Sequence, residues 1–183
     1  MNASDYQKQA SRTLLSRPGF EIGLRAWVII FNALALARAT GAVVELVKKG
    51  IFHQHGFEDT TLLKRLKEVK AASCNFFGRE ETFAWWQITD REAMIVWAII
   101  GLLGEAAEVA DLILSNIGKG EIDQKAIAKK LGDCLWYIAA LCTKFNIDLG
   151  EVMEWNIAKL QERYPDGFSS DYSRARVDVE VTL

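Results

Sequence analysis

The sequence predicts an all-α protein, a bundle of long helices. Three observations carry that expectation. Only two of the 183 residues are proline, so little interrupts a helix once started. Apolar residues recur at helical spacing over stretches several turns long, and half of the chain is hydrophobic, enough to bury a core. Strict alternation occurs only in the closing RVDVEVTL, which is too short to count as more than a tail.

The elements follow in order. A first helix is expected over about residues 3–16, with Asn2 or Ser4 as N-cap and Arg17-Pro18-Gly19 as its stop. A long apolar helix should cover about 24–48 and stop at Gly50. Residues 51–58 read as a loop and 60–72 as a charged amphipathic helix. The stretch 73–89 has no clear period and reads as a connector. Asp90 is a candidate cap for a helix over about 91–115, closed by Asn116 and Gly118. Asp123 opens another that runs to about 144, and Asp148 a last one to Arg163, ahead of Tyr164-Pro165. The expected divisions are therefore an N-terminal half at 1–72, the connector at 73–89, a C-terminal half at 90–170 and a tail at 171–183.

The two halves show a faint likeness. When residues 25–47 are laid on 91–113, Arg25 meets Arg91, Leu36 meets Leu102, Val43 meets Val109 and Glu45 meets Asp111. One residue out of that register, KRLKE at 64–68 lies on KKLGD at 129–133. Any two amphipathic helices align to some degree. Read as duplication, the likeness makes the chain an internally duplicated pseudo-dimer whose first half kept its packing without its acids.

Composition excludes several classes. A formal net charge of −2 gives no reason to expect nucleic acid or an anionic membrane as partner. Cys74, Cys134 and Cys142 lack CxxC spacing and read as reduced, buried thiols of a cytoplasmic protein. The polar N-terminus does not read as a secretory signal. Residues 26–47 are long enough to span a bilayer, but Asn32, Arg38 and Glu45 interrupt them, so a buried bundle helix is the expectation and a small membrane protein the rival.

The chemistry concentrates in three carboxylates set in apolar sequence. Glu105 and Glu108 stand in IIGLLGEAAEVADLIL, and Asp133 in KKLGDCLWYIAALC. On a helical wheel Met94, Trp97, Ala98, Gly101, Glu108 and Leu112 share the side of Glu105. The opposite side, with Ile99, Leu103, Ala106 and Ala110, is apolar too, which predicts a helix buried all round. Two carboxylates one turn apart in such a place need a cation between them. If the helix carrying Asp133 packs antiparallel on this stripe, three carboxylates converge, and oxygen-only ligation favours Mg²⁺ or Mn²⁺ over zinc. His53 and His55 lie in a distant loop and are not expected to be ligands. Asn156, Lys159 and Arg163 fall on one face of the last helix, a polar stripe suited to phosphate or simply to solvent.

With these residues in view, a resemblance emerges. GEAAEVAD, then KKLGDCLWYIAAL, then DLGEVMEWNIAKLQERYPDGFS, in that order over about residues 91–170, resemble the MazG-type all-α nucleoside triphosphate pyrophosphohydrolases. The opening DYQKQASRT is similar to that family's first helix. The resemblance implies an ExxE pair and a downstream ExxD that hold Mg²⁺ around a nucleotide's phosphates. Carried over, Glu105, Glu108 and Asp133 are the metal and catalytic residues, and Asn156 and Lys159 match the substrate-binding positions. Arg163 and Tyr137 join them as substrate-binding candidates, Tyr137 beside the base with Trp136 and Trp155, although core packing is the commoner use of such rings.

One position departs from the pattern. The glutamate of ExxD falls at 130, where this chain has Lys130. The lysine would either extend to solvent or neutralise substrate phosphate directly. Glu45, Glu68 and Asp111 are the remaining candidates for a fourth ligand. The implied reaction is Mg²⁺-dependent hydrolysis of a nucleoside triphosphate to the monophosphate and pyrophosphate, in nucleotide-pool cleaning, by a chain that could form a homo-oligomer. The rival is a family member without turnover, a nucleotide-binding or structural bundle.

Overall fold

The computed structural model describes residues 1–15, 17–18, 22–56, 58–74, 87–120 and 122–175, and among these every regular element is helical. The helices are α1 (Ala3–Ser11), α2 (Leu24–Ile51), α3 (Asp59–Cys74), α4 (Asp90–Asn116), α5 (Gln124–Phe145), α6 (Leu149–Arg163) and α7 (Ser170–Ala175). The all-α expectation holds. They fall into two compact units: α1, α4, α5 and the start of α6 in one, α2, α3, the rest of α6 and α7 in the other.

In the first unit α4 packs on α5 and α1 on α5. Helix α1, grouped by sequence with the N-terminal half, thus joins the C-terminal helices. It is also shorter than expected. Ser11 Oγ bonds the Lys8 carbonyl at 2.9 Å and Thr13 Oγ1 the Ala10 carbonyl at 2.9 Å, so hydroxyls take acceptors that a continuing helix would use. Its apolar side, Ala3, Tyr6 and Ala10, packs against Ala139, Cys142 and Leu149, the buried centre of this unit. Gln7 ties the junction of α5 and α6: its amide nitrogen donates to the Ile147 carbonyl at 2.8 Å, and its oxygen accepts from Leu149 N at 2.7 Å.

The caps explain where the helices begin. Thr89, not Asp90, starts α4, in a capping box whose Glu92 carboxylate reaches back to Thr89 N at 2.8 Å. Asp123 caps α5 as expected, accepting from Lys125 N and Ala126 N. Asp148 caps α6, accepting from Gly150 N at 2.7 Å and Glu151 N at 3.2 Å. The turn into α6 uses Asn146 with φ 57°, a left-handed conformation that asparagine tolerates well.

In the second unit α2 packs against α3. Helix α2 passes through Gly50 and ends at Ile51, because its last donors still find carbonyls, Phe52 N reaching Lys48 O at 2.9 Å. Next comes a turn that brings both histidines onto one hydroxyl. Gln54 adopts φ 54°, and His53 Nδ1 and His55 Nε2 lie 2.9 and 3.1 Å from the buried Ser173 Oγ on α7. Arg174 closes the same turn by donating to the Gln54 carbonyl at 2.9 Å. Helix α7, absent from the sequence reading, occupies the start of the expected tail. Most of the connector 73–89 and the alternating RVDVEVTL lie outside the described residues.

Burial corrects one expectation. Helix α4 is not enclosed all round: Ala93, Met94 and Ala98 are buried, whereas Leu103 and Leu114 are exposed. Helix α2 likewise buries Trp27, Asn32 and Ala39 only. Both are long and apolar enough to cross a membrane by length and composition. The cysteines are all free, with Cys142 buried, Cys134 half-buried and Cys74 exposed.

Candidate active site

Helices α4 and α5 are antiparallel. Partners run down α5 as positions run up α4: Arg91 meets Lys144, Trp97 and Gly101 both meet Tyr137, and Glu105 meets Lys130. Gly101 makes this approach possible. A Cβ at that position would sit 2.2 Å from the Tyr137 ring carbons Cε1 and Cζ, so only glycine leaves room for the phenol. Trp97, Trp136 and Tyr137 meet edge to face, with ring centroids 5.0 to 5.5 Å apart, and Trp136 Nε1 donates to Thr13 Oγ1 at 2.9 Å.

One turn beyond the rings lies the acidic pair. Lys130 Nζ is 3.0 Å from Glu105 Oε2 and also bonds Glu108 Oε2. The Glu105 side chain is 21% exposed, Lys130 25% and Glu108 57%, so the ammonium and Glu105 are largely withdrawn from solvent while Glu108 faces it. The hydrogen bonds to Glu108 and then Glu105 hold the lysine well above its ordinary pKa, so it stays charged throughout the physiological range. Lys130 therefore neither extends to solvent nor lies apart from the acids. It is turned onto them.

Asp133 does not join the pair as a third converging carboxylate. Among the described residues no three His, Cys, Asp or Glu side chains gather closely enough to hold one metal ion. Burial pushes the phenols of Tyr6 and Tyr137 above their ordinary value, and the Asp133 charge adds to it, together with Glu105 at Tyr137. Asn156, Lys159 and Arg163 lie on the part of α6 that belongs to the second unit, Asn156 exposed and the other two half-buried. Of the other ligand candidates, Glu45 is held by Lys48 and Lys49, which lower its pKa to about 2, and Glu68 pairs with Arg65 at 2.9 Å.

The family model of the MazG nucleotide pyrophosphohydrolase domain matches residues 98–168. The chain belongs to this family. The MazG match takes in the acidic pair, Lys130, Asp133 and the Asn156–Arg163 stripe, all read from sequence as one site. A relative in Mycobacterium phage L5, the Gene 37 protein, is 33% identical over 76 residues, which cover 39% of this chain and 67% of that protein. No solved structure matches.

The Glu105–Glu108 pair offers two oxygen donors of the kind a hard divalent cation takes. The pair presents carboxylate oxygens alone, and the Lys130 ammonium already stands between them where a shared cation would stand. The lysine bridge is what sequence reasoning missed. A signal for it existed: counted outward from the turn at Gly118 and Gly120, residue 130 and the pair 105/108 lie at similar distances, so an antiparallel hairpin sets them face to face.

Proposed function

We propose that the chain hydrolyses a ribo- or deoxynucleoside triphosphate to the monophosphate and pyrophosphate, with Mg²⁺ or Mn²⁺, as a nucleotide-pool cleaning enzyme of the cytoplasm. The observation that carries this reading is the MazG match over residues 98–168, within which Glu105 and Glu108 share the Lys130 ammonium. A divalent ion taken up by Glu105 and Glu108 would supply charge neutralisation at the triphosphate, and Asp133 would have to be drawn in from the facing helix to serve as its third ligand.

The chain's own groups account for the rest. A carboxylate of the pair accepts the proton of a water that attacks the α-phosphorus. The bond from that phosphorus to its bridging oxygen breaks, and pyrophosphate leaves with the electron pair. The resemblance gives Asn156 and Lys159 to substrate binding, and an amide with two cations, Lys159 and Arg163, is the chemistry that offsets phosphate charge. Tyr137, fixed over Gly101 and against two tryptophans, offers a rigid aromatic edge for the base.

The lysine bridge favours a second reading, in which the domain binds nucleotide without turnover. One assay separates the two: pyrophosphate release from a panel of nucleoside triphosphates, with Mg²⁺, with Mn²⁺ and with chelator. Metal-dependent release that disappears in Glu105→Ala establishes the hydrolase. A folded protein that releases none from any nucleotide leaves the binding reading.

A further inference from the structure

We propose that Lys130 is the resident cation of the Glu105–Glu108 pair, a tethered ammonium that keeps the two carboxylates assembled without metal and that a divalent ion must displace to enter. Its second clause rests on the metal-site reading above; its first does not.

The ammonium touches both carboxylates, 3.0 Å from Glu105 and in closer contact with Glu108, so it satisfies the pair as one shared cation rather than pairing with one acid alone. It is supplied from the facing helix, at a register held by the fit of Tyr137 over Gly101. The pair is i, i+3 on one helix with Glu105 mostly withdrawn from water, where two uncompensated negative charges repel each other. A single positive charge relieves that repulsion and leaves net −1 over the three groups.

The same geometry sets the terms for a metal. The ammonium and a divalent ion want the same oxygens and repel each other at contact distance, so the ion binds only as the lysine leaves. The lysine has a flexible four-carbon stem and three donors, which suits it to exchange one anionic partner for another. Once displaced, its available anionic partner is the substrate's phosphate.

The test uses the full chain with Lys130→Met, which keeps the stem and removes the charge, and Lys130→Arg, which keeps the charge. Mn²⁺ binding is followed by electron paramagnetic resonance and calorimetry, and thermal stability is followed in chelator. Lys130→Met is expected to bind Mn²⁺ about tenfold more tightly than the parent or better, the repulsion having gone. It should also melt lower in chelator and recover with Mn²⁺. Lys130→Arg should keep the parent's metal-free stability. Equal Mn²⁺ affinity in the parent and Lys130→Met would overturn the proposal, as would a Lys130→Met protein whose melting in chelator matches the parent's. The expected Mn²⁺ behaviour in a protein that releases no pyrophosphate would support the tethered cation while sinking the hydrolase reading.

Discussion

Glu108 shows how one partner changes what a residue is expected to do. A carboxylate in an apolar helix, considered alone, is a charge whose removal should spare or raise metal-free stability. Bonded to Lys130 and more than half exposed, it is instead one arm of an ion pair. Glu108→Gln is therefore expected to abolish pyrophosphate release and to lower the chelator-state melting temperature slightly; unchanged or higher melting would show that the pair contributes no stability. Gly101 makes a second argument at this scale. With Tyr137 carbons 2.2 Å from where a Cβ would stand, Gly101→Ala must displace the ring from its two tryptophans. The expected cost is about 1–3 kcal/mol in urea unfolding, with loss of near-ultraviolet dichroism from the aromatic cluster. A neutral result would mean that α4 and α5 do not meet at this register.

Helices begin here where a short polar side chain takes up free amides, and such caps are local enough to read in advance. Asp123 and Asp148 stand where the sequence places them, and the start of α4 moves by one residue because Thr89 and Glu92 form a reciprocal box that Asp90 cannot match. Thr89→Ala should lower stability by about 1 kcal/mol in urea unfolding. The helix ends were less legible, since the end of α1 depends on back-bonding hydroxyls and the end of α2 on a turn gathered around Ser173. The start of α6 carries a pH dependence. The Ser4 hydroxyl, then the Glu151 and Gly150 amides, hold the Asp148 carboxyl below its ordinary value. Its contribution to stability is then present above the usual aspartate range and is lost as pH falls through the depressed folded value. Ser4→Ala should raise the Asp148 pKa in a carboxyl NMR titration and start acid unfolding at higher pH; an unmoved titration would remove Ser4 as the principal cause.

At the scale of the whole molecule, the two long apolar helices carry exposed apolar side chains. One chain leaves Leu103, Ile113, Leu114 and Ile117 exposed in or just after α4, and Ile29, Val44 and Ile51 in α2. Charges inside both helices weigh against lipid: Arg38 and Glu45 in α2, Glu105, Glu108 and Asp111 in α4. The expected outcome is a protein soluble without detergent that sediments as a species larger than one chain; recovery in the membrane fraction alone would assign the helices to a bilayer. The all-α architecture, the principal caps and the i, i+3 acidic pair could be had from the order of residues, because periodicity and capping act over a few neighbours. So could the MazG motifs, which are runs of adjacent residues. The cation that closes the pair, the place of α1 beside α5 and the open face of α4 came only with packing. Those depend on which helix meets which and at what register, and here that register turns on a glycine under a tyrosine, far along the chain from each other and silent until the two helices touch.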